Sequence, residues 1–110
     1  MFLIVAELEK IGDLYRDICL HIAENKIRMD KEVYDIFEEI NSFFRDFYEI
    51  FYKFELERVT EMSVSKKRLD KKIENLFGKV PKKQMKILFQ LNTISEITFD
   101  MTIPLLVNKL

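Results

Sequence analysis

Glycine and proline are almost missing from this chain: among 110 residues there are two of each, at Gly12, Gly78, Pro81 and Pro104. Sheet proteins need turn punctuation every ten residues or so, and a chain this poor in it reads as long helices instead. Cysteine and histidine are scarcer still. Cys19 and His21 are single, which excludes a disulfide framework, a cysteine-rich zinc site and the paired Glu-x-x-His ligands of di-iron bundles. A lone thiol fits a reducing, cytoplasmic setting. There is no tryptophan, and no long uncharged hydrophobic run. Residues 1–6 are apolar, but no basic stretch precedes them and Glu7, Glu9 and Lys10 follow at once, so neither a secretory leader nor a membrane span is expected there.

What is present suits a packed core. Hydrophobic residues make up 48% of the chain and charged residues 34%, enough for one folded domain of this length. The formal net charge of −1 conceals an uneven distribution. Residues 1–51 carry 12 acids and 6 bases, whereas residues 52–90 carry 11 bases and 5 acids. The basic part centres on Lys66, Lys67, Arg68, Lys71, Lys72, Lys82 and Lys83. Such a run is most simply a solvated helix face and loop. Apart from Phe77 no aromatic residue interleaves these bases and no recognition motif accompanies them, so no nucleic-acid partner is expected. The stretch Lys66–Lys86 is a candidate for peripheral contact with anionic lipid.

Hydrophobic spacing predicts an all-α, antiparallel bundle of about four helices. The first covers about 2–25, with Ile4, Leu8, Ile11, Tyr15, Ile18 and Ile22 spaced alternately four and three apart. A second is expected over about 31–60, starting behind Asp30 as N-cap, with Val33, Phe37, Ile40, Phe44, Phe47, Phe51 and Phe54 as its core stripe. A third is expected over about 65–77, carrying Leu69, Ile73 and Leu76. Gly78 then ends it, and Pro81 opens a fourth over about 82–108, whose stripe is Ile87, Leu91, Ile94, Thr98, Met101 and Leu105. Pro104 should kink or end this last helix.

Two sets of acids recur at helical spacing. Glu9, Asp13 and Asp17 fall on one face of the first helix; Asn92, Glu96 and Asp100 fall on one face of the fourth. Like charges four residues apart cost a helix a few tenths of a kcal/mol each, and a hard cation held between two such stacks would offset that. Glu96 and Asp100 are the only acids in 91–110. Gly12 lies between Glu9 and Asp13. A glycine inside a helix costs about 1 kcal/mol relative to alanine and is tolerated where another backbone must approach.

The run Glu7-Leu8-Glu9-Lys10-Ile11-Gly12-Asp13-Leu14-Tyr15-Arg16-Asp17-Ile18-Cys19 resembles the signature of the PhoU-like family. That resemblance implies a bundle of three-helix repeats, each with an acidic Glu/Asp-x-x-x-Asp motif on its third helix, the motifs of two repeats holding metal. It implies Glu9 and Asp13 as one pair and Glu96 and Asp100 as the other; beside them, Asp17 or Asn92 is expected as an auxiliary ligand. The ion would be divalent or trivalent, iron or zinc. The first helix would then close a preceding repeat, which would explain its uncapped apolar start and would make the chain a homo-oligomer or part of a longer one. Family members are not enzymes but regulators of phosphate uptake, acting on a membrane transporter or a sensor kinase. The second motif keeps only its acids.

One enzymatic alternative exists. Arg16 and His21 fit the Arg-polar-x-x-x-His pattern of HEPN-type helical ribonucleases, in which such a pair serves as the catalytic general acid and base.

Overall fold

The computed structural model describes residues 2–109. Five helices follow one another: α1 (Phe2–Asn25), α2 (Lys31–Tyr52), α3 (Leu56–Leu76), α4 (Lys82–Asp100) and the short α5 (Thr102–Lys109). The first four run alternately up and down, and α5 continues beyond α4. The bundle is flattened and rod-like, with principal extents of 45 × 25 × 17 Å.

α1 has the expected limits. Ile4, Ile11 and Ile18, seven residues apart, are buried, and Leu8, Tyr15 and Ile22 pack at their margin. The ending is a Schellman turn: Ile27 N–H donates to the Ile22 carbonyl (3.0 Å) and Lys26 N–H to that of Ala23 (3.4 Å). Lys26 stands in the left-handed region (φ 50°), where a glycine would be unstrained.

α2 ends at Tyr52, well short of the expected residue 60. The chain is extended at Lys53 (φ −136°) and at Glu55 (φ −140°), and α3 begins at Leu56, nine residues before its expected start. No glycine or proline marks this break, and Phe54 prolongs the apolar spacing straight through it. The start of α3 is masked by Lys66. It occupies a core-facing register between buried Met62 and Leu69, lays its stem along the apolar surface and donates to Asp70 at the surface (2.5 Å). The core stripe of α2 is also rotated from expectation. Val33, Ile36, Ile40, Phe43, Phe47 and Ile50 are buried, while Phe37, Phe44 and Phe51 are half-buried at its edge. Tyr15 of α1 meets Phe37 and Phe44 edge-on and donates its hydroxyl proton to Asn41 Oδ1 (2.8 Å).

At Gly78 the backbone turns left-handed (φ +80°), and Pro81 opens α4 as expected. All six residues of the expected α4 stripe are buried, Met101 and Leu105 lying beyond the helix proper. The expected single helix over 82–108 divides at Met101 into α4 and α5. Pro104 has no N–H to offer the Asp100 carbonyl and its ring crowds that oxygen, so the break falls three residues before the proline.

Helices α2, α3 and α4 pack around one core, with α1 laid against α4 and α2. Antiparallel pairing of α1 with α4 is fixed at both ends. His21 donates from Nε2 to the Lys83 carbonyl (2.8 Å), and Ile4 lines a cleft with Asp100, Met101 and Pro104. In this register Glu9 lies level with Glu96, and Asp13 with Asn92.

Candidate functional site

Along α1, the residues opposite the buried isoleucines are exposed, among them Glu9, Gly12, Asp13, Arg16, Asp17 and Leu20. Along α4 the exposed row is Phe89, Thr93, Glu96, Asp100. The five sequence-predicted ligands Glu9, Asp13, Asp17, Glu96 and Asp100 therefore all lie at the surface of neighbouring antiparallel helices, but only Glu9 and Glu96 are level with each other.

They do not converge. Asp13 is 67% exposed and pairs only with Arg16 (3.4 Å) on its own helix. The Glu96 carboxylate accepts a long hydrogen bond from Asn92 (3.4 Å), again within one helix. Asp100 borders a cleft of about 230 Å³ together with Ile4, Met101, Pro104 and Glu7, an acid absent from the predicted set. Glu7 in turn accepts from Lys10 (3.0 Å). Among the described residues, no three acidic, histidine or cysteine side chains come together as a metal-binding group. The oxygen donors suit a hard cation, but within one chain they are two parallel rows and not a cage.

Gly12 is open to solvent, and a methyl group built on it meets nothing within 4 Å. The expected close approach of a second backbone is not made by any described part of the chain. A position that costs the helix stability therefore has no reason within the fold.

Arg16 and His21 are not brought together. Five residues apart, they lie about 140° from each other around the helix. Arg16 points outward to Asp13, whereas both His21 ring nitrogens serve the fold. Nε2–H donates to the Lys83 carbonyl, and in that tautomer Nδ1 accepts from Asn25 Nδ2 (3.2 Å). The Asn25 amide also donates to the His21 carbonyl (3.0 Å).

Next to this contact is a clasp that sequence reasoning missed. Buried Gln84 accepts from the Asp30 backbone N–H (2.8 Å) and donates to Asp30 Oδ1 (3.3 Å), so Asp30 occupies the N-cap position of α2 while its side chain caps nothing. Together the His21 and Gln84 bonds tie the α1–α2 turn to the start of α4. The available signal was positional: Gln84 extends the α4 buried stripe one turn upstream of Ile87.

The basic segment divides in two. Lys72 donates to both Glu39 oxygens (2.9 and 3.0 Å) and Arg68 lies 3.9 Å from the same carboxylate, so part of the α3 charge is matched across the interface by α2. Arg58 pairs likewise with Glu49 (2.5 Å). Burial, then the neighbouring Glu49 carboxylate, pushes Asp46 above its usual value in this groove. Lys67 and Lys71 are exposed on α3 and form no ion pair with a described residue, and Lys79, Lys82, Lys83 and Lys86 belong to the end of the bundle.

No protein family, curated protein or solved structure matches the chain. No described helix is long and apolar enough to cross a membrane.

Proposed function

We propose that the chain is a non-catalytic regulatory module of PhoU-like character, working by contact with a membrane transporter or a sensor kinase and set peripherally at the cytoplasmic face of the membrane. Its working surface is the outer face of α1, Glu9-Gly12-Asp13-Asp17, flanked by Glu96 and Asp100 of α4. The observation that carries this is Gly12. It weakens an exposed helix interior, no described residue approaches it, and it sits between the two acids of the signature-like run. A glycine with no neighbour inside the fold is accounted for by a neighbour outside it. That neighbour is a second copy, the remainder of a longer chain, or the regulated protein.

Metal is not required for this contact, because the two acidic rows are complementary to a basic partner as they stand. If assembly drew the rows together, Glu9, Asp13, Asp17, Glu96 and Asp100 would be its oxygen ligands. The test is phosphate uptake in cells lacking the chain. Wild type is expected to restore normal control, and Asp13→Arg to fail while retaining wild-type melting. Uptake that is indifferent to loss of the chain contradicts the proposal.

A further inference from the structure

The topology gathers onto one end of the rod two turns that are 50 residues apart in sequence. The α1–α2 turn brings Lys26, Arg28 and Lys31; the α3–α4 turn and the first α4 turn bring Lys79, Lys82, Lys83 and Lys86. The bonds from His21 to Lys83 and from Gln84 to Asp30 hold the two turns side by side. Residues 24–32 and 74–86 together contain seven bases and four acids, against 11 bases and 15 acids in the remainder of the chain. One of the four acids, Asp30, is turned onto Gln84, whereas Lys26, Arg28, Lys79, Lys82 and Lys83 form no ion pair with a described residue. Two helices begin at this end (α2, α4) and two finish there (α1, α3), so their dipoles offset and the positive potential comes from the side chains.

We infer that this end is a docking surface for an anionic lipid bilayer, on which the rod stands end-on. The inference deepens the peripheral placement proposed above but stands on separate residues. The charge asymmetry selects the orientation. With net charge −1 the molecule as a whole has no attraction for an anionic surface. The potential of such a surface decays over about 8 Å at physiological salt, so only charges at the tip of a 45 Å rod feel it.

Shape and apolar content favour a membrane over nucleic acid. Ile27, Met29 and Val80, interleaved with the bases, are half-buried against the core, so the bases stand on a packed apolar layer. Neither an isolated helix nor a β-ribbon protrudes there to enter a duplex groove. The aromatic residue of the turn, Phe77, is half-buried and stacked on exposed Phe89 (ring centroids 4.9 Å, 25°), so each of these rings already has one face covered.

The test is flotation of the full chain with vesicles of phosphatidylcholine containing 30% phosphatidylserine, at 0.1 M salt, against pure phosphatidylcholine. Wild type is expected to bind only the anionic vesicles, and to lose at least tenfold in partitioning at 0.5 M salt. Lys79→Glu/Lys82→Glu/Lys83→Glu should lose at least tenfold, while Arg45→Glu/Lys53→Glu/Lys67→Glu, an equal charge change on exposed residues away from this end, should stay within twofold. Circular dichroism checks folding of each variant; if the glutamate triple is unfolded, the Lys→Gln triple is used with the same expected loss. No binding by wild type, equal loss in both variants, or tighter binding to a 20-base-pair duplex than to the vesicles overturns the inference. None of these outcomes involves the α1 face or phosphate uptake, so this inference and the regulatory reading fail separately.

Discussion

Tyr15 shows how a single residue couples two helices. Its ring fills the seam between α1 and α2, and its hydroxyl reaches Asn41. Burial pushes its pKa up to about 12. The folded state thus holds this proton more tightly than the unfolded chain, in which a tyrosine titrates near 10. The stabilisation is complete below about pH 10 and is lost as pH rises towards 12. We expect melting temperature to fall over that window, and the fall to shrink in Tyr15→Phe; equal alkaline sensitivity in both would contradict the assignment. Gly12 makes the opposite kind of statement, because nothing near it needs its small size. Gly12→Ala should stabilise the isolated chain by about 0.5–1 kcal/mol, since a methyl group fits and the unfolded chain loses freedom. Thermal melting measures this directly. A destabilised variant would mean that the fold itself requires the glycine.

Among the elements, α1 and the start and buried stripe of α4 were legible because isoleucine and leucine recur there at unbroken spacing, with Thr98 keeping the period in α4. The α2–α3 boundary was not, because Lys53-Phe54-Glu55 contains neither glycine nor proline and Phe54 keeps the period. The backbone turns there because α3 must fold back on α2, a tertiary demand without a local marker. Lys66 hid the first half of α3 for a related reason: a lysine with a buried stem reads as surface. The acidic spacing was legible too, yet convergence depends on how α1 and α4 are rotated about their axes, which one helix's sequence does not specify. Gln84 belongs to this scale because it joins two turns. Gln84→Leu should cost about 1–3 kcal/mol by leaving the Asp30 N–H and carboxylate without their partner. Chemical denaturation of the variant checks this, and wild-type stability would show that water replaces the clasp freely.

Over the whole molecule, charge and shape divide the surface. One end is basic, one long side carries two uncovered acidic rows, and the α2–α3 groove neutralises much of its own charge through Glu39 and Glu49. Because the acidic rows run parallel within one chain, added zinc or ferric ion should leave the melting of the monomer unchanged; an upward shift of several degrees would mean that the rows close on a cation. The central claim is that the outer face of α1 is the surface through which the chain regulates. Phosphate uptake in cells carrying Gly12→Leu in place of wild type tests it most directly, since Gly12 is exposed, a Cβ built there meets nothing within 4 Å, and the added bulk falls where a partner would lie. Loss of uptake control by a variant that melts no lower than wild type is the predicted result; unaltered control would contradict the account.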